Sequence, residues 1–290
     1  LPTRLASTKP ETTESPTVMA NGKMFVVPEN KTVYAGKIFT ANVNTYLVAN
    51  YATGEILAGK NIDTVRPLAS FTKIMSAYRL LKEGLSLTQA TTYNPAKHQA
   101  VYNNFRVVAG EKITNENLME SLLVSSLNTP ARILVSAVEK DENKFIARMN
   151  QEAKDLGLKE TKYTDTYGYD LGNIGTAREF LTIYTKAEKN IEMRRILGLK
   201  NYEYNELIDK DGKSRHYDNH SNELMNKSGL PFTIISSKTA YLDEAGAGVI
   251  MLIERPTDKK QFIIITMGNP DYAQRFVEPE KLARWAVEEF

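Results

Sequence analysis

The last third of the chain alternates short runs of apolar and β-branched residues with turn residues. Three such runs predict adjacent antiparallel strands: residues 232–239, 247–254 and 261–267. Near the other end, residues 45–50 and 55–58 flank a Thr53-Gly54 pair and predict a β-hairpin. Strand-forming sequence therefore lies at both ends of the chain.

Elsewhere, apolar residues recur at the spacing that is typical of amphipathic helices. The predicted helices begin at Ser70, Asn115, Pro130 and near Phe145, and span residues 176–188 and 278–290. This order predicts an α/β (α+β) fold. An antiparallel sheet built from both chain ends is flanked by helices, and a mostly helical lobe, approximately residues 85–200, is inserted into it.

Residues 1–22 are rich in Thr, Ser, Pro and charge, and few of them suit a packed core. We predict that they form a flexible leader and that residues 23–290 form one domain. Such a leader suits a tether from a membrane segment or signal peptide removed ahead of Leu1, which predicts work outside the cytoplasm.

Composition excludes several function classes. The 37 basic and 35 acidic side chains form no block of like charge, so no nucleic-acid surface is predicted. The absence of cysteine excludes thiol catalysis, disulfides and cysteine-based zinc sites. His98, His216 and His220 lack metal-ligand spacing, so we predict no metal, and any catalytic serine needs a base other than histidine. No apolar run approaches the roughly 18 to 20 residues that span a bilayer.

The stretch around Ser70 and Lys73 has the strongest chemical signal. If Ser70 opens a helix, Lys73 stands one turn later on the same face, so that its amine neighbours the hydroxyl. A partly desolvated lysine loses its proton near neutral pH and serves as base to a serine. The alternative is a serine helix cap beside a solvated lysine.

Two further patterns follow in order. Ser126-Leu127-Asn128 lies between two predicted helices, and Lys238-Thr239-Ala240 ends a predicted strand. Each has a structural alternative, because Ser126 and Asn128 suit a helix cap and Lys238 suits a solvated strand edge. Together with the first pattern they favour an acyl-transfer site, which needs a serine, a base and fixed donors for an oxyanion.

The three patterns resemble the Ser-x-x-Lys, Ser-x-Asn and Lys-Thr-Gly motifs of penicillin-binding proteins and class A β-lactamases. More widely, the chain resembles the serine-type D-alanyl-D-alanine carboxypeptidases over roughly residues 35–290. The wider similarity lies in Ala109-Gly110-Glu111, Leu156-Gly157-Leu158-Lys159, Gly175-Thr176-Ala177-Arg178-Glu179, Asn222-x-Leu224-Met225 and Met267-Gly268-Asn269 with Arg275-Phe276. The resemblance implies a β-lactamase/transpeptidase-like fold.

The resemblance also implies a role for each motif residue. Ser70 would be the nucleophile, Lys73 its base, and Ser126 a proton relay that touches Lys73. The implied substrate-binding residues are Asn128 for a backbone amide, Lys238, Thr239 and Arg275 for the terminal carboxylate, and Tyr241, whose N–H would complete an oxyanion hole with that of Ser70.

Two positions depart from the family pattern. Ala240 stands where glycine is usual, and its methyl group is expected to narrow the groove where substrate approaches the strand. Leu127 is apolar where carboxypeptidases commonly have glycine. Both departures are expected to affect specificity more than chemistry.

The implied function is removal of the terminal D-alanine from peptidoglycan stem peptides through a Ser70 acyl-enzyme, with β-lactams acylating the same serine and no cofactor required. Three alternatives stay open: a D,D-endopeptidase, a class A-like β-lactamase, and a weakly active protein that binds cell-wall peptide or β-lactam. A β-lactamase would need a glutamate for its deacylating water. Glu160 is in the right region, but its surroundings fit the carboxypeptidase pattern.

Overall fold

The structure, a computed structural model, describes residues 17–20, 23–26, 32–34, 37–102 and 105–290. Most of the predicted leader, residues 1–16 and 21–22, lies outside the described residues. Within it, Thr17–Ala20 forms a strand that pairs with Lys23–Val26.

In the described part of the chain, seven strands precede the first α-helix, and three long strands precede the last one. The strands are β1 (Thr17–Ala20), β2 (Lys23–Val26), β3 (Thr32–Tyr34), β4 (Lys37–Phe39), β5 (Thr45–Asn50), β6 (Ile56–Lys60), β7 (Arg66–Pro67), β8 (Ala90–Thr92), β9 (Lys112–Thr114), β10 (Ile174–Gly175), β11 (Asn201–Ile208), β12 (Arg215–Asn219), β13 (Thr233–Leu242), β14 (Gly246–Glu254) and β15 (Gln261–Asn269). The α-helices are α1 (Thr72–Lys82), α2 (Pro95–His98), α3 (Asn115–Leu123), α4 (Thr129–Val138), α5 (Glu142–Asp155), α6 (Ala177–Glu188), α7 (Ile191–Leu197) and α8 (Val277–Glu289). Short 3-10 helices lie at Ala69–Phe71, Glu223–Asn226 and Tyr272–Gln274.

The main sheet joins both ends of the domain, as predicted. Its strand order is β13-β14-β15-β5-β6, and every neighbouring pair is antiparallel. β15 is buried along both faces, because alternate residues enter two different apolar clusters. Ile264 packs in the cluster that contains Leu282 and Ala286 of α8, and Ile265 packs in the cluster of the helical lobe. The sheet is therefore covered by helices on both sides.

Helix α1 is the centre of the helical lobe. Ile74, Ala77 and Leu80 are fully buried in its cluster. At the far end of α1, the buried Glu152 of α5 accepts from Arg79 at 2.7 Å. The predicted helix is confirmed, and its packing holds its first turn against the edge of the sheet.

A four-stranded sheet, ordered β12-β11-β9-β8, also belongs to this part of the chain and was not predicted. Residues 201–208 alternate strictly over their first six positions, with Tyr202 and Tyr204 buried and Glu203 exposed. The period-2 signal was present, but its buried positions are two tyrosines and Glu206, so it does not stand out as an apolar run. The inserted lobe is therefore less helical than the sequence suggested.

Helix α3 begins differently from the prediction, which made Asn115 its cap. The cap is Thr114, whose hydroxyl accepts from the Asn117 N–H at 3.2 Å. Asn115 is buried instead, accepting from Thr91 and donating to the Ser86 carbonyl. Both residues suit a cap, and the long-range partners decide which of them takes the position.

The buried sheet should respond strongly to a cavity. Replacing the fully buried Ile264 by alanine is expected to lower the free energy of unfolding by about 2–5 kcal/mol. Denaturant unfolding measures the change. The matched control, Ile191→Ala, alters a side chain that is 81% exposed and should stay within about 0.5 kcal/mol of the parent. Equal losses in the two variants would contradict the assigned core.

Candidate active site

Ser70 lies at a turn that the surrounding structure holds in place. The preceding residue, Ala69, has a left-handed φ of +46°, which is strained for alanine. The Leu68 N–H donates to the Asn173 carbonyl at 2.8 Å, and Phe71 stacks on Phe180 with ring centroids 4.6 Å apart. These contacts hold the Ser70 hydroxyl at the junction of the sheet and the helical lobe.

Lys73 is fully buried and in hydrogen-bond contact with Ser70. Its Nζ donates to the Ser70 Oγ at 2.7 Å and to the Tyr167 carbonyl at 2.7 Å. Burial lowers the pKa of Lys73 to about 7, although the negative charge of Asp165 acts in the opposite direction. The solvated-lysine alternative therefore does not hold, and the amine is suited to accept the serine proton.

Ser126 and Asn128 occupy the loop between α3 and α4, as predicted. Neither acts as the side-chain cap of α4. Ser126 has a left-handed φ of +64°, and its Oγ accepts from Lys238 Nζ at 2.6 Å. Asn128 Nδ2 donates to the Val101 carbonyl at 2.9 Å. The loop thus presents a strained serine towards the third motif.

One expected contact differs in the structure. The resemblance implied that Ser126 touches Lys73, but the Ser126 Oγ accepts a hydrogen bond from Lys238. Among the described residues, the Lys73 amine donates to Ser70 and to the Tyr167 carbonyl. The two lysines therefore each hold one serine of the site.

Lys238 is the second fully buried amine. It also donates to the Thr239 carbonyl at 2.9 Å. Burial, and then the nearby charge of Lys73, hold the pKa of Lys238 well below its usual range. Within the described residues neither amine has a carboxylate within ion-pair distance, so no negative side chain competes with an anionic ligand for these two donors. The solvated-edge alternative for Lys238 is excluded by its burial.

The loop of residues 163–173 completes the site and was not predicted as part of it. The Asp165 carboxylate accepts backbone N–H groups from residues 167–170, which orders the loop that carries the Tyr167 carbonyl. Gly168 in this loop has a φ of +85°, and a Cβ there would lie 1.8 Å from the Ala69 carbonyl oxygen. An aspartate two residues before a Tyr-Gly pair is a turn signal that could have found this loop.

Two adjoining cavities open over Ser70. The larger, about 780 Å³, is lined by Ser70, Tyr102, Ser125, Ser126, Leu127, Asn128, Gly168, Tyr169, Asp170, Leu171, Tyr241, Leu242, Asp243, Glu244 and Tyr272. The smaller, about 190 Å³, is lined by Ser70, Ser125, Ser126, Ser221, Thr239, Ala240, Tyr241, Tyr272 and Arg275. We call the larger cavity the cleft and the smaller one the side pocket. Most of the predicted site residues meet in these two spaces.

Arg275 lines the side pocket but is already engaged. Its guanidinium donates to Glu223 at 2.8 Å and to the Tyr272 carbonyl at 2.9 Å, and it lies 4.0 Å from the centre of the Tyr272 ring. The guanidinium therefore already forms an ion pair with a carboxylate of the chain. A carboxylate in the side pocket would have to compete with Glu223 for this group.

The two departures from the motif pattern lie in different surroundings. Ala240 is only 6% exposed and belongs to the apolar cluster with Leu68 and Phe71, although it also borders the side pocket. Ala240 therefore exposes little surface to the side pocket. Leu127 is half-buried and lines the cleft.

One group of carboxylates lies away from these cavities. Oxygens of Glu111, Asp209 and Asp211 are within 4.8 Å of one another. Glu111 accepts the N–H groups of Val108 and Lys210, and Asp209 accepts those of Asp211 and Gly212. Backbone hydrogen bonds therefore account for this cluster, and it gives no reason to assign a metal.

Comparisons with known proteins agree with this geometry. The sequence model of the family described as D-alanyl-D-alanine carboxypeptidase matches residues 31–271. The D-alanyl-D-alanine endopeptidase of Pseudomonas aeruginosa is 26% identical, with 82% of this chain and 75% of that protein covered. The D-alanyl-D-alanine carboxypeptidase DacA of Haemophilus influenzae is 25% identical over 85% of this chain, which spans 62% of that protein.

Solved structures show the same fold. A mutant form of the Streptomyces K15 DD-transpeptidase is 25% identical and superimposes with a TM-score of 0.75, covering 86% of this chain and 98% of that chain. The penicillin-binding protein 5 of Haemophilus influenzae, at 22% identity and a TM-score of 0.75, covers 86% of this chain and 72% of its own. The predicted penicillin-binding, transpeptidase-like fold is confirmed.

The buried Lys73 amine predicts a pH dependence. Because only the uncharged amine accepts the Ser70 proton, the rate at which a serine-directed acylating reagent modifies Ser70 should rise with pH, with a midpoint near 7. Rapid-mixing kinetics across pH measure it. Lys73→Arg, which keeps the charge and stays protonated, should lose the reaction. An acylation rate that is the same below and above pH 7 would contradict the role of Lys73 as the base.

Gly168 predicts a second effect. Gly168→Ala should displace the 163–173 loop from the Ser70 turn and slow acylation on the order of a hundredfold, because a Cβ would meet the Ala69 carbonyl. Gly157→Ala is the matched control, since Gly157 also has a positive φ but a Cβ there would meet nothing within 4 Å. It should cost about 1–2 kcal/mol of stability and leave the acylation rate unchanged. Similar acylation rates in both variants would show that the close approach is unimportant.

Proposed function

The chain belongs to the family of D-alanyl-D-alanine carboxypeptidases, and from that membership we propose that it is a serine D,D-peptidase that removes the terminal D-alanine of peptidoglycan stem peptides. The observation that carries this proposal is the 2.7 Å contact between the buried Lys73 amine and the Ser70 hydroxyl. A serine is a weak nucleophile unless a base is present, and this amine has a pKa suited to neutral conditions.

The first half of the reaction forms the acyl-enzyme. The Ser70 Oγ attacks the carbonyl carbon of the penultimate D-alanine while Lys73 accepts the hydroxyl proton. The peptide bond then breaks, and the leaving amine of the terminal D-alanine takes a proton from Ser126. The proton that Lys73 accepted replaces it, which leaves Lys73 uncharged for the second half. The backbone N–H groups of Ser70 and Tyr241 would stabilise the oxyanion, a contribution for which one donor typically accounts for about a hundredfold to a thousandfold in rate.

The second half releases the shortened peptide. Water attacks the ester carbonyl while Lys73 accepts its proton, and Lys73 then gives this proton to the Ser70 oxygen as it leaves. The product is a new carboxylate on the former penultimate residue. No metal or organic cofactor is required for this sequence, because the base, the relay and the oxyanion donors are all groups of the chain.

Substrate binding follows from the charges and donors around Ser70. Thr239 would donate a hydrogen bond to the terminal carboxylate in the side pocket, where Arg275 also lies, and the buried Lys238 would supply positive charge near it. Asn128, on the wall of the cleft, would bond a backbone amide of the stem peptide. The positive charge of a buried amine favours a free chain terminus over an internal segment of a peptide.

A D,D-endopeptidase is the second candidate. The cleft of about 780 Å³ has room beyond a single leaving residue, and a relative that covers 82% of this chain is named an endopeptidase. The same chemistry would cut a cross-link with the same six motif residues, namely Ser70, Lys73, Ser126, Asn128, Lys238 and Thr239. A cross-linked dimer of stem peptides offered beside the monomer distinguishes the two activities.

The remaining alternatives have less support. Glu160, the candidate for a β-lactamase glutamate, is exposed, donates its N–H to Glu179 and is absent from the described residues that line the cleft. A weakly active binding protein would not need both Lys73 and Lys238 to be buried, because removing two amines from water has a cost in stability.

Action on peptidoglycan implies work outside the cytoplasm. No helix in the described residues is both long and apolar enough to cross a membrane. Tethering through the Thr, Ser and Pro-rich residues 1–22 remains a prediction from composition.

Incubation with a penicillin tests the acyl-enzyme. Intact-mass spectrometry of the parent should show the gain of one drug molecule that persists for many minutes, and Ser70→Ala should show none. Release of free D-alanine from a peptide ending in D-alanyl-D-alanine, measured in parallel, tests the peptidase itself.

The results of these two measurements separate the candidates. Rapid loss of the adduct with hydrolysed drug would favour a β-lactamase. An adduct without D-alanine release would favour the binding protein. Absence of both would refute the acyl-enzyme.

A further inference from the structure

A short stretch of chain, residues 219–222, connects the second motif to the third. Ser125 Oγ donates to the Asn219 carbonyl at 3.3 Å, and the Ser221 N–H donates to the Val124 carbonyl at 2.9 Å. These bonds attach the stretch to the loop that carries Ser126. We call residues 219–222 the bridging segment.

The other side of the bridging segment is attached to β13. Asn222, fully buried, donates from Nδ2 to the Ser237 Oγ at 2.8 Å, and a ring nitrogen of His220 lies 3.2 Å from the Ser237 carbonyl. Burial lowers the pKa of His220 to about 3, so this ring is neutral at physiological pH. Ser221 is therefore held in place by well-packed neighbours on both sides.

The hydroxyl of Ser221 is part of the side pocket itself. It accepts a hydrogen bond from Thr239 Oγ1 at 2.7 Å, and both residues line the side pocket with Ser70. Neither sequence pattern nor motif spacing pointed to Ser221, because its partner is 18 residues away along the chain. The orientation of the Thr239 hydroxyl thus depends on a group outside the three motifs.

Hydroxyl chemistry explains what this pair can do. A hydroxyl has one proton to donate and two lone pairs to accept with. Without a ligand, Thr239 donates to Ser221. When a carboxylate, which only accepts, enters the side pocket, Thr239 can turn its proton to the ligand while Ser221 donates to the Thr239 oxygen. The pair therefore stays hydrogen-bonded in both states, and no buried polar atom loses its partner.

We propose, on the basis of the D,D-peptidase function above, that Ser221 is a positioning residue for recognition of a free carboxyl terminus. Its hydroxyl orients the Thr239 hydroxyl towards the terminal carboxylate of the substrate. Arg275 does not take over this task, because its guanidinium is engaged by Glu223 and by the Tyr272 carbonyl. Ser221 acts through Thr239, so it affects substrate binding and leaves the bond-breaking step to Ser70 and Lys73.

The test compares two substrates that differ only at the carboxyl terminus. One peptide ends in D-alanyl-D-alanine and the other in D-alanyl-D-alaninamide, which lacks the carboxylate. Ser221→Ala should raise KM for the acid about tenfold with kcat nearly unchanged, a size typical of one hydrogen bond to a charged group. For the amide, the parent and Ser221→Ala should have the same kcat/KM, because the carboxylate that Ser221 helps to recognise is absent.

Three variants distinguish a positioning role of Ser221 from a general structural defect. Ser221→Thr keeps a hydroxyl and should restore the acid-to-amide ratio of the parent. Ser136→Ala makes the same change at a half-buried hydroxyl outside both cavities, one that bonds the Ile133 carbonyl, and should leave that ratio unaltered. In a Thr239→Val background, adding Ser221→Ala should have little further effect on KM for the acid. Ser221 acts on the substrate through the Thr239 hydroxyl, and valine lacks that hydroxyl.

The outcomes are distinguishable from those of the proposed function. If the parent releases neither D-alanine from the acid nor D-alaninamide from the amide, the D,D-peptidase function is refuted, and the proposed role of Ser221 with it. If the parent is active and Ser221→Ala loses kcat/KM equally on acid and amide, the role of Ser221 is structural and the proposal is overturned. Additive losses for Ser221→Ala and Thr239→Val would overturn it too.

Discussion

The burial of two lysine amines beside two serines is the constraint on which the rest of this structure depends. A charged ammonium is costly to remove from water unless it gains strong partners, so the neutral form is favoured and the pKa falls. Here each amine has one serine oxygen and one backbone carbonyl within hydrogen-bond distance. Among the described residues no carboxylate lies within ion-pair distance of either amine to stabilise its charged form. That combination leaves one amine able to accept a proton and places a second one where an anion is attracted.

The fold provides this arrangement by bringing three distant segments to one junction. The first turn of α1, the loop before α4 and the strand β13 each carry one motif, and the contact between Lys238 and Ser126 joins residues 112 positions apart. A sheet assembled from both chain ends places β13 next to the Ser70 turn, while the helical lobe supplies the opposite wall. The residues 219–222 and the 163–173 loop then close the gaps between these segments.

The strained residues of the site are consistent with this construction. Ala69 and Ser126 both have a left-handed backbone, which costs on the order of 1–3 kcal/mol each and persists only where neighbours enforce it. Gly168 is the complementary case, since its missing side chain allows the loop to approach the Ala69 carbonyl closely. The side chains next to these positions are buried or hydrogen-bonded, so the hydroxyl groups are presented in one arrangement before a substrate arrives.

The sequence by itself determined the strands at both chain ends, most of the helices and the identity of the six motif residues. These features depend on short-range patterns, namely apolar periodicity, turn residues and motif spacing. It missed the hairpin of β11 and β12, where tyrosines, Glu206 and His216 occupy the buried positions, and it misplaced the cap of α3. Only the tertiary structure decided that Ser126 bonds Lys238, that Asp165 orders the loop over Lys73, and that Ser221 holds Thr239. Each of those facts is a contact between residues far apart along the chain, and local sequence does not encode which distant partner a polar group will meet.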